Sequence, residues 1–126
     1  AMAATFLALV DPGDEVVIFE PFYENYGPDA VLAGARPVFV PLVAPDWTLD
    51  EERLRAALAR RPKALVLNTP HNPTGKVFSR AEVDLIARLV VEHDVPWVLT
   101  DEIYEHLVYE GHHHPIAQWP GMTERT

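Results

Sequence analysis

Two short segments carry side chains suited to catalysis, NTPHNPTGK from Asn68 to Lys76 and VLTDEIY from Val98 to Tyr104. The first ends an apolar run with a turn in which Asn72 precedes a proline and Gly75 can take a positive φ. The second ends another apolar run on Asp101, with Tyr104 close behind. A strand, a crossover helix and a parallel strand occupy about thirty residues, which is the spacing between the two segments. Asn72 and Asp101 then lie just past the carboxyl ends of parallel strands, the edge where open α/β sheets bind ligands. Tyr23 follows an earlier apolar run in the same way. An aromatic face, a neutral amide and a carboxylate at one edge suit a planar, electron-poor heterocycle. Its ring can stack on Tyr23, a phenolic oxygen can accept from Asn72, and a protonated ring nitrogen can pair with Asp101.

The elements that must position these groups are legible from periodicity and punctuation. AMAATFLALV has the helical spacing of Met2, Phe6, Leu9 and Val10, and DPGD turns the chain into the strand Glu15 to Glu20, which Pro21 ends. A helix is expected over Pro28 to Ala33 with Gly34 after it, then a second strand, Pro37 to Pro41, whose prolines assign it to an edge. Val43 to Trp47 reads as the loosest stretch. Thr48 with Glu51 forms a capping box for a helix using Leu54, Ala57 and Leu58 up to about Arg60. The third strand is Lys63 to Asn68. Ser79 with Glu82 forms a second box, Phe78 and Val83 a hydrophobic staple, and Val83, Ile86, Ala87, Val90 and Val91 an apolar face down to His93. Pro96 to Thr100, apolar throughout, reads as a fourth strand covered on both faces. Tyr109 to Thr126 shows no period and reads as a surface connection. Strands alternating with helices predict an α/β fold, three layers with a mainly parallel sheet and right-handed crossovers, in which residues 1 to 126 form a single partial domain.

Composition narrows the function classes. The chain of 126 residues is 48% hydrophobic and 23% charged, which fits a packed domain and excludes a disordered chain. A formal charge of -9 argues against nucleic-acid or anionic-membrane partners. Arg60, Arg61 and Lys63 are the one basic cluster and are expected at a solvated helix end. The lack of cysteine removes disulfide and thiolate chemistry, and no run approaches a membrane span. His112, His113 and His114 invite a metal, but adjacent residues of an extended loop point different ways and the sequence offers no second ligand group, so no metal site is expected. Glu102 is expected to face away from Asp101, as strand neighbours do. The first helix has no cap before it, so the chain is expected to be cut from something longer.

NTPHNPTGKVFSRAEVDLI together with TDEIYEHLVYEG resembles the class I and II aminotransferases, the fold type I enzymes that use pyridoxal phosphate. Within them it is similar to the group of kynurenine, glutamine and methionine transaminases and cysteine-conjugate β-lyases. The likeness runs from AMAATFLAL through DEVVIFEPFY to PGMTERT. It implies pyridoxal 5'-phosphate as cofactor, with Asn72 and Tyr104 on its phenolic oxygen, Asp101 on its pyridinium nitrogen and Tyr23 stacked on its ring. It implies amino-group transfer between an amino acid and a 2-oxo acid in a cytoplasmic homodimer. A carbon-sulfur β-lyase shares these contacts and stays open, as does a non-catalytic remnant. The family's Schiff-base lysine, phosphate-binding turn and carboxylate-binding arginine match nothing here, since Lys63 and Lys76 stand at other positions. The chain is thus expected to be the middle of a large domain with half a cofactor site, inactive by itself.

Overall fold

A computed structural model describes all 126 residues. Its elements run α1 (Met2–Leu9), β1 (Glu15–Glu20), α2 (Tyr26–Leu32), β2 (Arg36–Pro41), α3 (Glu51–Leu58), β3 (Ala64–Asn68), α4 (Arg80–Glu92) and β4 (Trp97–Asp101), with a short 3-10 turn at Ile116–Gln118. The four strands form one sheet in the order β2-β1-β3-β4, every pair parallel. Progression from β1 to β2 goes one way, and the next crossover returns past β1 to β3. That reversal lies between β1 and β3.

The strands look uniformly apolar because both sheet faces are covered. Successive residues point to opposite faces. Val16, Ile18, Ala64, Val66 and Leu99 join Phe6, Val10, Tyr26 and Ala30 in a layer beneath α1 and α2. Val17, Phe19, Leu65, Leu67 and Val98 join Leu54, Leu58, Val83, Ile86 and Val90 beneath α3 and α4. Helices on opposite faces are what right-handed crossovers produce when strand progression reverses. The expected three-layer αβα arrangement is therefore present, and β2 is an edge strand as its prolines indicate.

Local chemistry explains most boundaries. Ser79 and Glu82 form the full reciprocal box at the start of α4, with Phe78 and Val83 both fully buried beside it. Gly34 takes φ 83° after α2, and a Cβ there would lie 3.1 Å from Pro12, so both the backbone and the close approach disfavour a larger residue. The helix α2 starts at Tyr26, two residues before the expected Pro28, because proline in a first turn needs no donor.

Five expectations are corrected. Thr48 does not cap α3: Asp50 does, its Oδ1 accepting from the Arg53 amide at 3.1 Å. Thr48 instead exchanges backbone bonds with Val43, at 2.9 and 3.0 Å, closing Val43 to Trp47 into a tight turn where looseness was expected. Val91 is exposed, on the edge of the apolar face of α4. The tail runs over the surface but is more than a connection, since Ile116 and Met122 are fully buried against the α3 and α4 layer and Arg125 O accepts from Val98 on the outer side of β4 at 2.7 Å. Arg60 is also more than a solvated cation: it pairs with Glu15 at the start of β1 and holds that carboxyl below its usual range.

The cap assignment is open to measurement. Asp50→Ala is expected to lower unfolding free energy by about 1 kcal/mol, and Thr48→Ala, whose backbone bonds survive the change, by clearly less. Urea unfolding of both variants checks this, and equal losses would return the cap to Thr48.

Candidate functional site

The site lies at the carboxyl ends of β1, β3 and β4. Tyr23, Asn72, Asp101 and Tyr104, separated by up to eighty-one positions, line one open concavity of about 270 Å³ together with Tyr26, Asn68 and Ile103. All four residues expected from sequence are brought together there. Tyr23 and Tyr104 are each a little over one-third exposed, so their rings and hydroxyls remain available. Asn72 and Asp101 are half-buried.

Asp101 is the best-held of the four. It ends β4, in register with Asn68 of β3. The Tyr26 hydroxyl donates to its Oδ2 at 2.7 Å, and the Ile103 amide to its Oδ1 at 3.3 Å. Each carboxylate oxygen has a further lone pair free, so Asp101 can still accept from a cationic donor in the cavity. Tyr26 is 2% exposed, and burial followed by the Asp101 charge pushes its phenol well above the usual tyrosine range. The proton in that bond therefore belongs to the phenol. Tyr26 is a residue the sequence did not single out, and its ring meets Tyr23 edge-on at 5.6 Å. Its polar role left no local signal, because its partner lies 75 positions away.

Asn68 is the second residue the sequence did not single out. It is 3% exposed. Its Nδ2 donates to the carbonyls of Asp101 at 2.8 Å and Pro70 at 3.2 Å, while its Oδ1 accepts from the Asn72 amide at 2.7 Å. Asn72 thus opens a loop whose geometry is fixed from within. The Gly75 amide donates to the His71 carbonyl at 2.7 Å, Gly75 takes φ 73°, and the His71 amide returns to the Lys76 carbonyl at 2.8 Å.

His71 sits behind this loop, 4% exposed, with Nδ1 2.7 Å from Thr74 Oγ1. Burial, aided by the nearby Lys76 ammonium, lowers it from the ordinary 6.5 to about 4. Lys76 itself is bonded to Glu82 at 2.7 Å and lies over the Phe78 ring, while Lys63 lies at the opposite end of β3, its amide bonded to Glu15. Neither lysine lines the cavity.

Glu102 lies just past the end of β4, so strand alternation does not govern it, and its carboxylate meets the tail instead. His113 Nε2 lies 3.1 Å from Glu102 Oε2, an ion-pair distance without hydrogen-bond alignment. Glu105 is near enough that one ligand atom from each of the three residues falls within 4.8 Å of the others. The second polar group that the sequence failed to show for the histidines is therefore supplied by the fold.

Comparison with known proteins places this geometry in a family. The family model for aminotransferase class I and II matches residues 1–126. The chain is 50% identical to kynurenine–oxoglutarate transaminase 1 of Homo sapiens, over 100% of this chain and 32% of that protein. It is 49% identical to a probable N-succinyldiaminopimelate aminotransferase of Mycobacterium tuberculosis, again over 100% and 32%. The solved structure of N-succinyldiaminopimelate aminotransferase from Mycobacterium tuberculosis superposes with a TM-score of 0.93 at 47% identity, covering 98% of this chain and 33% of that one. An aspartate aminotransferase tetra mutant of Thermus thermophilus gives 0.88 at 42%, covering 93% and 32%. The chain spans about a third of the length of the curated relatives it matches.

The buried histidine sets a pH dependence. Between about 4 and 6.5 the unfolded chain binds a proton at His71 that the folded chain does not, so acidification favours unfolding. The His71 contribution is complete above 6.5 and is lost as pH falls toward 4. Glu82, held below its usual 4.5 because Lys76 and Ser79 outweigh its burial, adds a further loss as pH falls below about 4.5, at the acid end of the same window. Thermal melts in this window are expected to show a falling midpoint that His71→Gln flattens; an unchanged slope in the variant would assign the effect elsewhere.

Proposed function

The chain belongs to the class I and II aminotransferases, and from that premise we propose that it forms half the cofactor site of a pyridoxal-phosphate-dependent aminotransferase acting on an amino acid and a 2-oxo acid. The observation that carries this is the convergence of Tyr23, Asn72, Asp101 and Tyr104 on one cavity. The residues fit the group: an exposed ring, an amide on a fixed loop and a carboxylate with spare acceptor capacity border a space near the lower end of small-molecule sites, about 300 Å³. When bound, pyridoxal phosphate supplies an electron sink for the pair released at the substrate α-carbon.

Each residue has a separate task. Asp101 would hold the ring nitrogen in its protonated form, and the Tyr26 and Ile103 donors keep the carboxylate from rotating out of line. Asn72 and Tyr104 would donate to the phenolic oxygen, and Tyr23 would cover one ring face. We assign the covalent lysine, the phosphate anchor and the substrate-carboxylate site to polypeptide outside these 126 residues. Two findings support that assignment. Lys76 is committed to Glu82 and Lys63 faces the wrong end of the sheet, and the relatives are about three times longer. The isolated 126 residues are accordingly proposed to be inactive. A cytoplasmic homodimer completes the reading, and sedimentation of the full-length protein checks its assembly.

In the full-length protein, Asp101→Asn is expected to lose far more turnover than Asn72→Ala. The carboxylate offsets a full positive charge in a sheltered site, whereas the amide gives one hydrogen bond to an oxygen that Tyr104 also serves. Comparable losses would show that Asp101 has been given too much weight. Products decide the reaction: a 2-oxo acid keeping the substrate's own side chain is expected, and pyruvate with a free thiol from a cysteine conjugate would replace transamination by β-elimination. Borohydride reduction with pyridoxal phosphate and peptide mapping is expected to label neither Lys63 nor Lys76; a stoichiometric label on Lys76 would relocate the covalent site into this chain.

A further inference from the structure

We propose that Asn68 is a positioning residue for the cofactor site, locking the loop of Asn72 and the backbone of Asp101 into one rigid unit. The inference rests on the reading of the cavity as a pyridoxal phosphate site. Asn68 closes β3 and stands in register with Asp101. The carbonyl of Asp101 accepts twice, from the Asn68 side-chain amide at 2.8 Å and from the Thr69 backbone at 3.1 Å. Those two bonds fix the peptide plane from which the Asp101 side chain departs. On its other side the same amide accepts from the backbone of Asn72 at 2.7 Å.

The orientation of Asn68 admits one solution. Its neighbours are two carbonyls, which can only accept, and one amide N–H, which can only donate. Its oxygen must face Asn72 and its nitrogen must face Asp101 and Pro70. A flipped amide would set oxygen against two carbonyl oxygens and nitrogen against an N–H. Buried groups that lose such partners carry their full desolvation cost, and the side chain is 3% exposed, so no bulk water replaces them. The two groups expected to meet the ring nitrogen and the phenolic oxygen of the cofactor are thereby spaced by one short side chain. A longer or shorter residue would change that spacing.

The consequence is specific. Asn68→Asp keeps the shape and the acceptor for Asn72 but sets a carboxylate oxygen against the carbonyls of Asp101 and Pro70. Asn68→Ser shortens the side chain and removes the bridge. Both variants of the full-length protein are expected to bind pyridoxal phosphate about tenfold or more weakly, with a shifted pH dependence of the bound cofactor's absorption band. Leu54→Ala, a core truncation away from the cavity, serves as the control for lost stability and is expected to keep wild-type affinity and spectrum. Fluorescence titration of the apoproteins with pyridoxal phosphate, absorption spectra across neutral pH and thermal melts give the three readouts. Unchanged affinity and spectrum in both Asn68 variants would overturn the proposal. So would the same loss of affinity in Leu54→Ala, since that is the mark of general destabilisation. A full-length wild-type protein that binds no pyridoxal phosphate would sink the proposed function itself, and this inference with it.

Discussion

The pairing of β1 with β3 is the contact on which the rest of the molecule depends. Val16, Val17 and Ile18 stand beside Ala64, Leu65 and Val66, so β1 has partners on both sides and the chain must reverse its direction of travel across the sheet. With progression reversed, α2 falls on one face and α3 and α4 on the other. The segments leaving the carboxyl ends of β1 and β3 then part toward opposite layers, which opens a crevice above the sheet at that point. Tyr23 and Tyr26 enter the crevice from one side, Asn72 from the other, and Asp101 from the next strand along.

A crevice made only by diverging loops would be soft, and two buried polar contacts stiffen this one. The Tyr26 hydroxyl ties the start of α2 to Asp101 of β4, two strands from the β1 that α2 follows. The Asn68 amide ties the end of β3 to both flanking segments. Each lies where burial makes an unmet donor or acceptor costly, so the geometry of the cavity is coupled to the same energetics that hold the sheet together. The His71 to Thr74 contact and the Gly75 turn extend that rigidity through the loop behind Asn72.

The points at which local reading failed share a cause. Thr48 and Asp50 both offer a capping oxygen ahead of the same helix, and the bridge between Val43 and Thr48 decided between them by holding Thr48 in extended pairing. The tail from Tyr109 onward has no period because its two anchors, Ile116 and Met122, are single buried side chains in otherwise irregular backbone. His113 found Glu102 because the tail folds back on the end of β4. In each case a distant partner overruled a local preference.

The sequence by itself determined the elements and their class, since alternation of apolar runs, amphipathic periods and proline or glycine punctuation is local chemistry: the strand Glu15–Glu20, the Ser79 box and the turn at Gly75 all stand as the residues indicate. It also marked Tyr23, Asn72, Asp101 and Tyr104, because polar or aromatic groups directly after apolar strands collect at one sheet edge. The strand order, and with it the crevice, was decided only by the tertiary structure, because a continuous apolar strand such as Leu65 to Leu67 does not record which neighbour it will pair with. The roles of Tyr26 and Asn68 were decided there too. A buried hydroxyl or amide acquires its function from the group it meets, and those groups lie 75 and 33 positions away along the chain.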